Sequence, residues 1–262
     1  MKKLFQIRKD IPKSLGNTIS ILAFGSLIFA WFYGSNFTDI SAVFLPAPQS
    51  VFSSLIACAQ DGSLWRDIGI SCYRVFMGFL ISVLIGVPIG ILAGTYKLVS
   101  AITRPIIGFM RYLPVSALIP LIMVWAGVGE AAKVTIIVVG AAFSLITMVS
   151  DIAKGVSMDL IQSAYTLGAK QWTVIRRVMI PAMLPHIMDN LRTVMSWAWT
   201  YLVMAEMLAS SSGLGYSIMI AERFMQTYVI FMGIFVIGLL GLVIDKCFAL
   251  INKCLFRWAE EQ

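Results

Sequence analysis

One histidine, His186, and four cysteines are all that this 262-residue chain offers toward metal or nucleophile chemistry. A single imidazole builds neither a catalytic triad nor a metal cluster. Cys58, Cys72, Cys247 and Cys254 show no C-x-x-C spacing and no neighbouring histidine. They read as small apolar packing residues or idle thiols, not as ligands or a disulfide framework. H-E-x-x-H and nucleophile-elbow patterns are absent, and so is any G-x-x-x-x-G-K-[ST] phosphate loop. The chain therefore does not hydrolyse ATP itself. Charge is scarce as well, at 13% of residues. A membrane-embedded hydrolase or transferase would need clustered acids or histidines within its spans, and few are present.

What the chain has instead is apolar length. With 59% hydrophobic content it is not a soluble domain, and its net charge of +7 signals orientation rather than nucleic-acid binding. Segments of about 20 largely apolar residues cross a bilayer as helices, because no water is there to satisfy the backbone. Six such spans are expected: Ile19–Tyr33, Val75–Gly94, Ile106–Val128, Lys133–Val149, Ile187–Leu208 and Tyr228–Leu250. Trp31, Phe32 and Tyr33 stand where a cleavage site would need small residues, so the first span reads as an uncleaved anchor after the basic, partly amphipathic start MKKLFQIRKDIPK. Phe37 to Cys72 reads as external, with a short interfacial helix over Gln49–Ala59 after the extended Pro46 and Pro48. Lys97, Arg104, Lys154, Lys170, Arg176, Arg177 and the basic residues of both termini fall on one side. Arg66, Arg74, Lys133 and Arg223 fall on the other, and this imbalance puts both termini in the cytoplasm.

Two features stand out within the spans. Gly78, Ser82, Gly86, Gly90 and Gly94 recur every four residues and line one helical face. Small residues at that spacing let backbones approach closely, either inside one subunit or between subunits. The third span is interrupted by Arg111, Pro114, Ser116 and Pro120, and such breaks are tolerated where protein or a wet cavity covers the freed backbone groups.

Between the fourth and fifth spans lies Asp151 to Pro185, DIAKGVSMDLIQSAYTLGAKQWTVIRRVMIPAMLP. Asp159 to Leu167 is expected to be helical, with Asp159 as cap and Gly168 as the left-handed residue that ends it. Ile161, Ala164, Leu167 and Gly168 then present small and apolar groups to something other than lipid. A second helix, Gln171–Ile180, is expected to end before Pro181 and Pro185, which suit the first turn of the next span.

The run Gln162-Ser163-Ala164, Gly168, then Val178-Met179-Ile180-Pro181 resembles the EAA loop of ABC importer permeases, E-A-A-x3-G-x9-I-x-L-P. Gln162 and Ser163 depart from that pattern, while the glycine-to-proline spacing keeps it. The segments FLPAPQSVFSSL, DGSLW and RYLP resemble the nitrate/sulfonate/taurine/bicarbonate branch. That resemblance implies an all-α fold of six transmembrane helices, the type I importer (MetI-like) permease. It implies a homodimer whose translocation path follows the two-fold axis, two ATPase subunits carrying ATP and Mg, and an extracytoplasmic solute-binding protein. It places the ATPase-coupling surface at Asp159, Ile161, Gln162, Ala164, Leu167, Gly168 and Ala169. On this reading residues 1–18 are a cytoplasmic basic N-terminus and 19–74 the first span with its external segment. Residues 75–254 are the permease core with coupling loop 151–185, and 255–262 a cytoplasmic tail. This chain then binds no cofactor, is not an enzyme, touches no nucleic acid and sits in the bacterial inner membrane. An ion-coupled secondary carrier or channel remains the alternative; it predicts paired mid-membrane acids or an inverted repeat, and neither is visible.

Charges inside spans need reasons, since each costs at least about 2.5–3.5 kcal/mol at a helix centre. Asp189 and Arg192 are three apart and expected to neutralise each other. Glu206 lies about 21 Å from Arg192 along the same helix and cannot pair with it. Arg111 has no local partner. It either holds carbonyls freed by Pro114 or faces a cavity, where its fork of donors would favour an anion. Ser116, Ser196, Trp197 and Tyr201, with Arg192, are further candidates for the path.

Overall fold

A chain crossing hydrocarbon must bond its backbone internally, and the computed structural model, which describes residues 12–256, contains only helices and their connections. Residues 1–11 of the expected basic start and the tail beyond residue 256, including Arg257, lie outside the described residues. In order the helices are α1 (Lys13–Phe37), α2 (Pro48–Gln60), α3 (Ser63–Thr95), α4 (Lys97–Tyr112), α5 (Val115–Ala126), α6 (Glu130–Gly155), α7 (Met158–Thr166), α8 (Gln171–Val174), α9 (Ile180–Ala209), α10 (Leu214–Arg223) and α11 (Thr227–Leu255).

Among the described residues, α1, α3, α6 and α11 are each long and apolar enough to cross a membrane, and α4 with α5 forms one broken pair bent by 103°. At 30 residues α9 is long enough too, though it carries Asp189, Arg192 and Glu206. Six crossings are compatible with this set. The break between α4 and α5 falls at Leu113 and Pro114, where proline withholds its N–H and the preceding residue is held extended.

Two boundaries differ from the sequence expectation. The helix that carries the second span begins at Ser63, so LWRDIGISCYR is the first part of α3 and not a separate segment before it. The expected turn is there, and it is the helix start: Gly62 is left-handed (φ 81°), and the Ser63 amide and hydroxyl both donate to Asp61. Those bonds hold the Asp61 carboxyl below its usual range. The second difference follows Gln171. There is no break before Pro181, because Ile175–Met179 forms a π turn that joins α8 to α9. Ile180 donates to the carbonyl of Ile175, five residues back. A ring that lacks N–H and crowds the preceding turn is accommodated by this widened ladder.

The centre of the fold is the contact of α3 with α6. A Cβ placed at Gly78 would lie 2.6 Å from Cβ of Ile137, one at Gly86 3.0 Å from Leu145, and one at Gly90 2.7 Å from Val149. At Gly94 it would lie 2.6 Å from the Ser150 carbonyl. Partners rise in step, so the helices run parallel in one constant register, and the glycine face packs inside the subunit. The buried Val75, Ile137, Leu145 and Val149 fill this seam. Gly90→Val should force the helices apart. We expect it to cost about 1–3 kcal/mol, seen as a lower unfolding temperature of the detergent-purified chain, whereas Gly108→Ala, with open space around its Cβ, should leave that temperature unchanged.

Candidate functional site

The loop after α6 builds a small capped helix. Ser157, not Asp159, is its cap: the Ser157 hydroxyl accepts from the Asp159 amide at 3.2 Å, and Asp159 sits in the first turn, where its charge suits the helix dipole. Gly168 adopts φ 79° and ends the helix, with the Gly168 amide on Tyr165 and the Ala169 amide on Ala164. Of the residues expected at the coupling surface, Ile161, Ala164 and Ala169 pack back against the core under α7. Asp159, Gln162, Leu167 and Gly168 face outward. Leu167 is 87% exposed and Met158 60%, so the tip of this hydrophilic loop is uncovered and apolar.

A second feature forms at the break in the third span. Arg111, Ser116, Ser144 and Tyr201 line a cavity of about 310 Å³ with Phe143 and Met204. Tyr201 reaches it because Gly140 has no side chain; a Cβ there would lie 2.5 Å from the ring. Arg111 has no hydrogen bond or ion pair among the described residues. The other path candidates are elsewhere. Arg192 does not pair with Asp189 as expected but forks onto Asp245 of α11, while Asp189 accepts from Asn252 at 2.7 Å. Opposite charge across a helix–helix contact outcompeted the neighbour three residues away. Trp197 is partly exposed and does not line the cavity.

The structure also holds a polar node that the sequence reading missed. Arg74, counted there as an outer-loop charge, is fully buried in α3. It donates to Glu206 of α9 at 2.6 Å, to both oxygens of Glu130 of α6 at 2.6 and 2.7 Å, and to the Ser212 carbonyl at 2.8 Å. Lys133 donates to Glu130 at 2.8 Å, so two positive charges meet two negative ones. Ser71 and the Gly215 amide complete the shell of Glu206. The signal available in sequence was Glu206 itself, a carboxylate with no partner on its own helix, and the i,i+3 pair Glu130 and Lys133. Arg74→Met would strand Glu206, and we expect it to cost about 3–5 kcal/mol. Arg74→Met with Glu206→Met should recover most of that loss, as read by unfolding temperature and the yield of folded membrane protein.

Comparisons with known proteins agree with this architecture. The family model for the binding-protein-dependent transport system inner membrane component matches residues 86–258. The chain is 33% identical over 257 residues to the taurine transport system permease protein TauC of Escherichia coli strain K12, covering 95% of this chain and 93% of that one. It is 34% identical over 251 residues to the putative aliphatic sulfonates transport permease protein SsuC of Bacillus subtilis strain 168, covering 96% and 91%. It is 26% identical over 232 residues to the riboflavin transport system permease protein RibX of Chloroflexus aurantiacus, covering 88% and 87%. In fold it is similar to a chain of the MetNI methionine ABC transporter solved in inward-facing conformations, with a TM-score of 0.56 at 22% identity over 71% of this chain and 95% of that one. Members of this family are multi-pass membrane permeases that work with binding proteins and with ATPase subunits on which ATP is hydrolysed, which sets the ion-coupled carrier aside. The chain therefore belongs to the inner-membrane components of binding-protein-dependent transport systems, the permeases of ABC importers.

Proposed function

We propose that α7 is the coupling helix on which a separate ATPase seats, and that two copies of this chain form the path for a small anionic solute. The exposed apolar tip of α7 carries this reading: Met158, Leu160 and Leu167 are 60%, 52% and 87% exposed on a loop whose lysines and arginines favour the cytoplasmic side. Water leaves such a surface at a gain when a groove covers it. Its inner face, through Ile161, Ala164 and Ala169, is packed on the spans, so a push on the tip is delivered to α6 and α9.

In this reading both termini are cytoplasmic and each of the two subunits meets one ATPase, which binds ATP and Mg. A binding protein delivers solute from outside. ATP binding draws the two α7 helices together and rocks the bundles from inward-open to outward-open. Residues 75–254 form the permease core, with 151–185 as its coupling loop. Arg111 in the cavity at the α4–α5 break supports a solute such as nitrate, bicarbonate, a sulfonate or taurine, since guanidinium pairs with planar or tetrahedral oxyanions through two donors. The names of relatives that carry taurine and aliphatic sulfonates support the same class.

Co-purification of this chain with a P-loop ATPase tests the coupling assignment. Leu167→Asp should leave membrane insertion intact and abolish that co-purification. Gly168→Val has room for its side chain but not the backbone angle, so it should keep the complex while uncoupling ATP hydrolysis from uptake. Full uptake by both variants would sink the assignment. For the path, Arg111→Gln should lower ATP-driven taurine or alkanesulfonate uptake by roughly tenfold or more, with Arg111→Lys intermediate.

A further inference from the structure

Lys97, Arg104 and Arg111 stand seven residues apart on α4. Seven residues are nearly two full turns, so the three lie along one face, about 10 Å from one to the next. The face between them carries Ser100, Thr103 and Gly108, with the buried Ile107 at its edge. Leu98, Ile102, Ile106 and Phe109 occupy the other side of the helix and are exposed to the extent of 74%, 58%, 57% and 66%, as a lipid-facing stripe is. Among the described residues none of the three basic side chains has a hydrogen bond or ion pair.

The cavities follow this face. The one at the α4–α5 break and a second of about 260 Å³ both touch Arg111. The second also contains Arg104, and it shares Ala93, Ser100 and Lys154 with a third of about 460 Å³, which reaches Lys97 behind α7. Asp151 is the acid lining the second cavity, and Lys154 pairs with it at 3.1 Å. The surplus charge along the whole course is therefore that of the three α4 side chains.

We propose that Lys97, Arg104 and Arg111 form a cationic track along α4, on which an anionic solute passes from the mid-membrane cavity to the cytoplasm. This rests on the anion-importer reading given above and adds the inner half of its path. The spacing suits hand-over, because long, flexible basic side chains about 10 Å apart can lean toward one another and none is closed by a counter-ion. Binding at each step is then weak enough for release. The bent α4–α5 pair places the top of the track at the break, where Ser116 and Tyr201 contribute hydroxyls.

Gly108→Cys provides a reporter between Arg104 and Arg111, with nothing within 4 Å of its Cβ. In inside-out membrane vesicles bearing the assembled transporter, its modification by a sulfonatoethyl methanethiosulfonate and by the trimethylammonium analogue is followed by peptide mass spectrometry, which separates it from the four native cysteines. The anionic reagent should react roughly tenfold faster than the cationic one. Arg104→Gln with Lys97→Gln should remove most of that preference, and Ile102→Cys on the opposite face should react slowly with both. An unreactive Gly108→Cys would mean that the basic groups reach for lipid phosphates and seal the groove, which overturns the track. Equal rates for the two reagents, or a preference that survives loss of Arg104 and Lys97, overturn it as well. Failure of the importer reading shows separately, as absence of an associated ATPase while the reagent preference persists.

Discussion

Two parallel helices, one offering glycines where the other offers side chains, set the frame of this permease. The face of α3 that carries Gly78, Gly86, Gly90 and Gly94 meets α6 so closely that a single methyl at any of them would collide or crowd. In lipid there is no hydrophobic gain from hiding one apolar helix against another, so close van der Waals contact has to supply the association. One fixed register along the seam follows, and it reaches both ends of the molecule. At one end it brings Arg74 beside Glu130; at the other it brings Gly94 against Ser150, directly before the loop that carries α7.

The chain handles charge in two opposite ways. Near the start of α3 Arg74, Lys133, Glu130 and Glu206 balance one another, and the Ser71 hydroxyl and the Gly215 amide fill remaining lone pairs of Glu206. Arg74, Lys133 and Glu206 are buried, and a set of buried charges is tolerated only when every member is satisfied. It ties α3, α6, α9 and the Ser210–Gly215 turn into one body. Along α4 the charges are of one sign and unpaired, and cavities run beside them. The balanced node is built to stay closed, whereas an unbalanced face is open to whatever supplies the missing charge.

On the coupling-helix reading proposed above, force enters at the α7 end, and the local structure there is stiff. Ser157 caps α7, Gly168 terminates it, and the π turn carries α8 into α9 without a break. A free joint before Pro181 would absorb motion; on the same reading a continuous helix from the loop to Ala209 would pass it on to the Arg74 node through Glu206.

The all-helical membrane class was legible because apolar length and the lack of water in a bilayer leave no other choice. The glycine face, the break at Pro114 and the Gly168 stop were legible for a similar reason: each is a property of local backbone or spacing. Tertiary structure alone decided the partners. Arg74 looked like a loop charge because the apolar run starts one residue later, at Val75, and hydropathy does not show what a helix end faces. Asp189 was the nearest acid in sequence to Arg192, yet Asp245 lies across the contact with α11 and takes the guanidinium fork. Spacing along one helix fixes which residues share a face. Which face meets which is set by packing among helices far apart in the chain, and a single sequence carries no record of that distance.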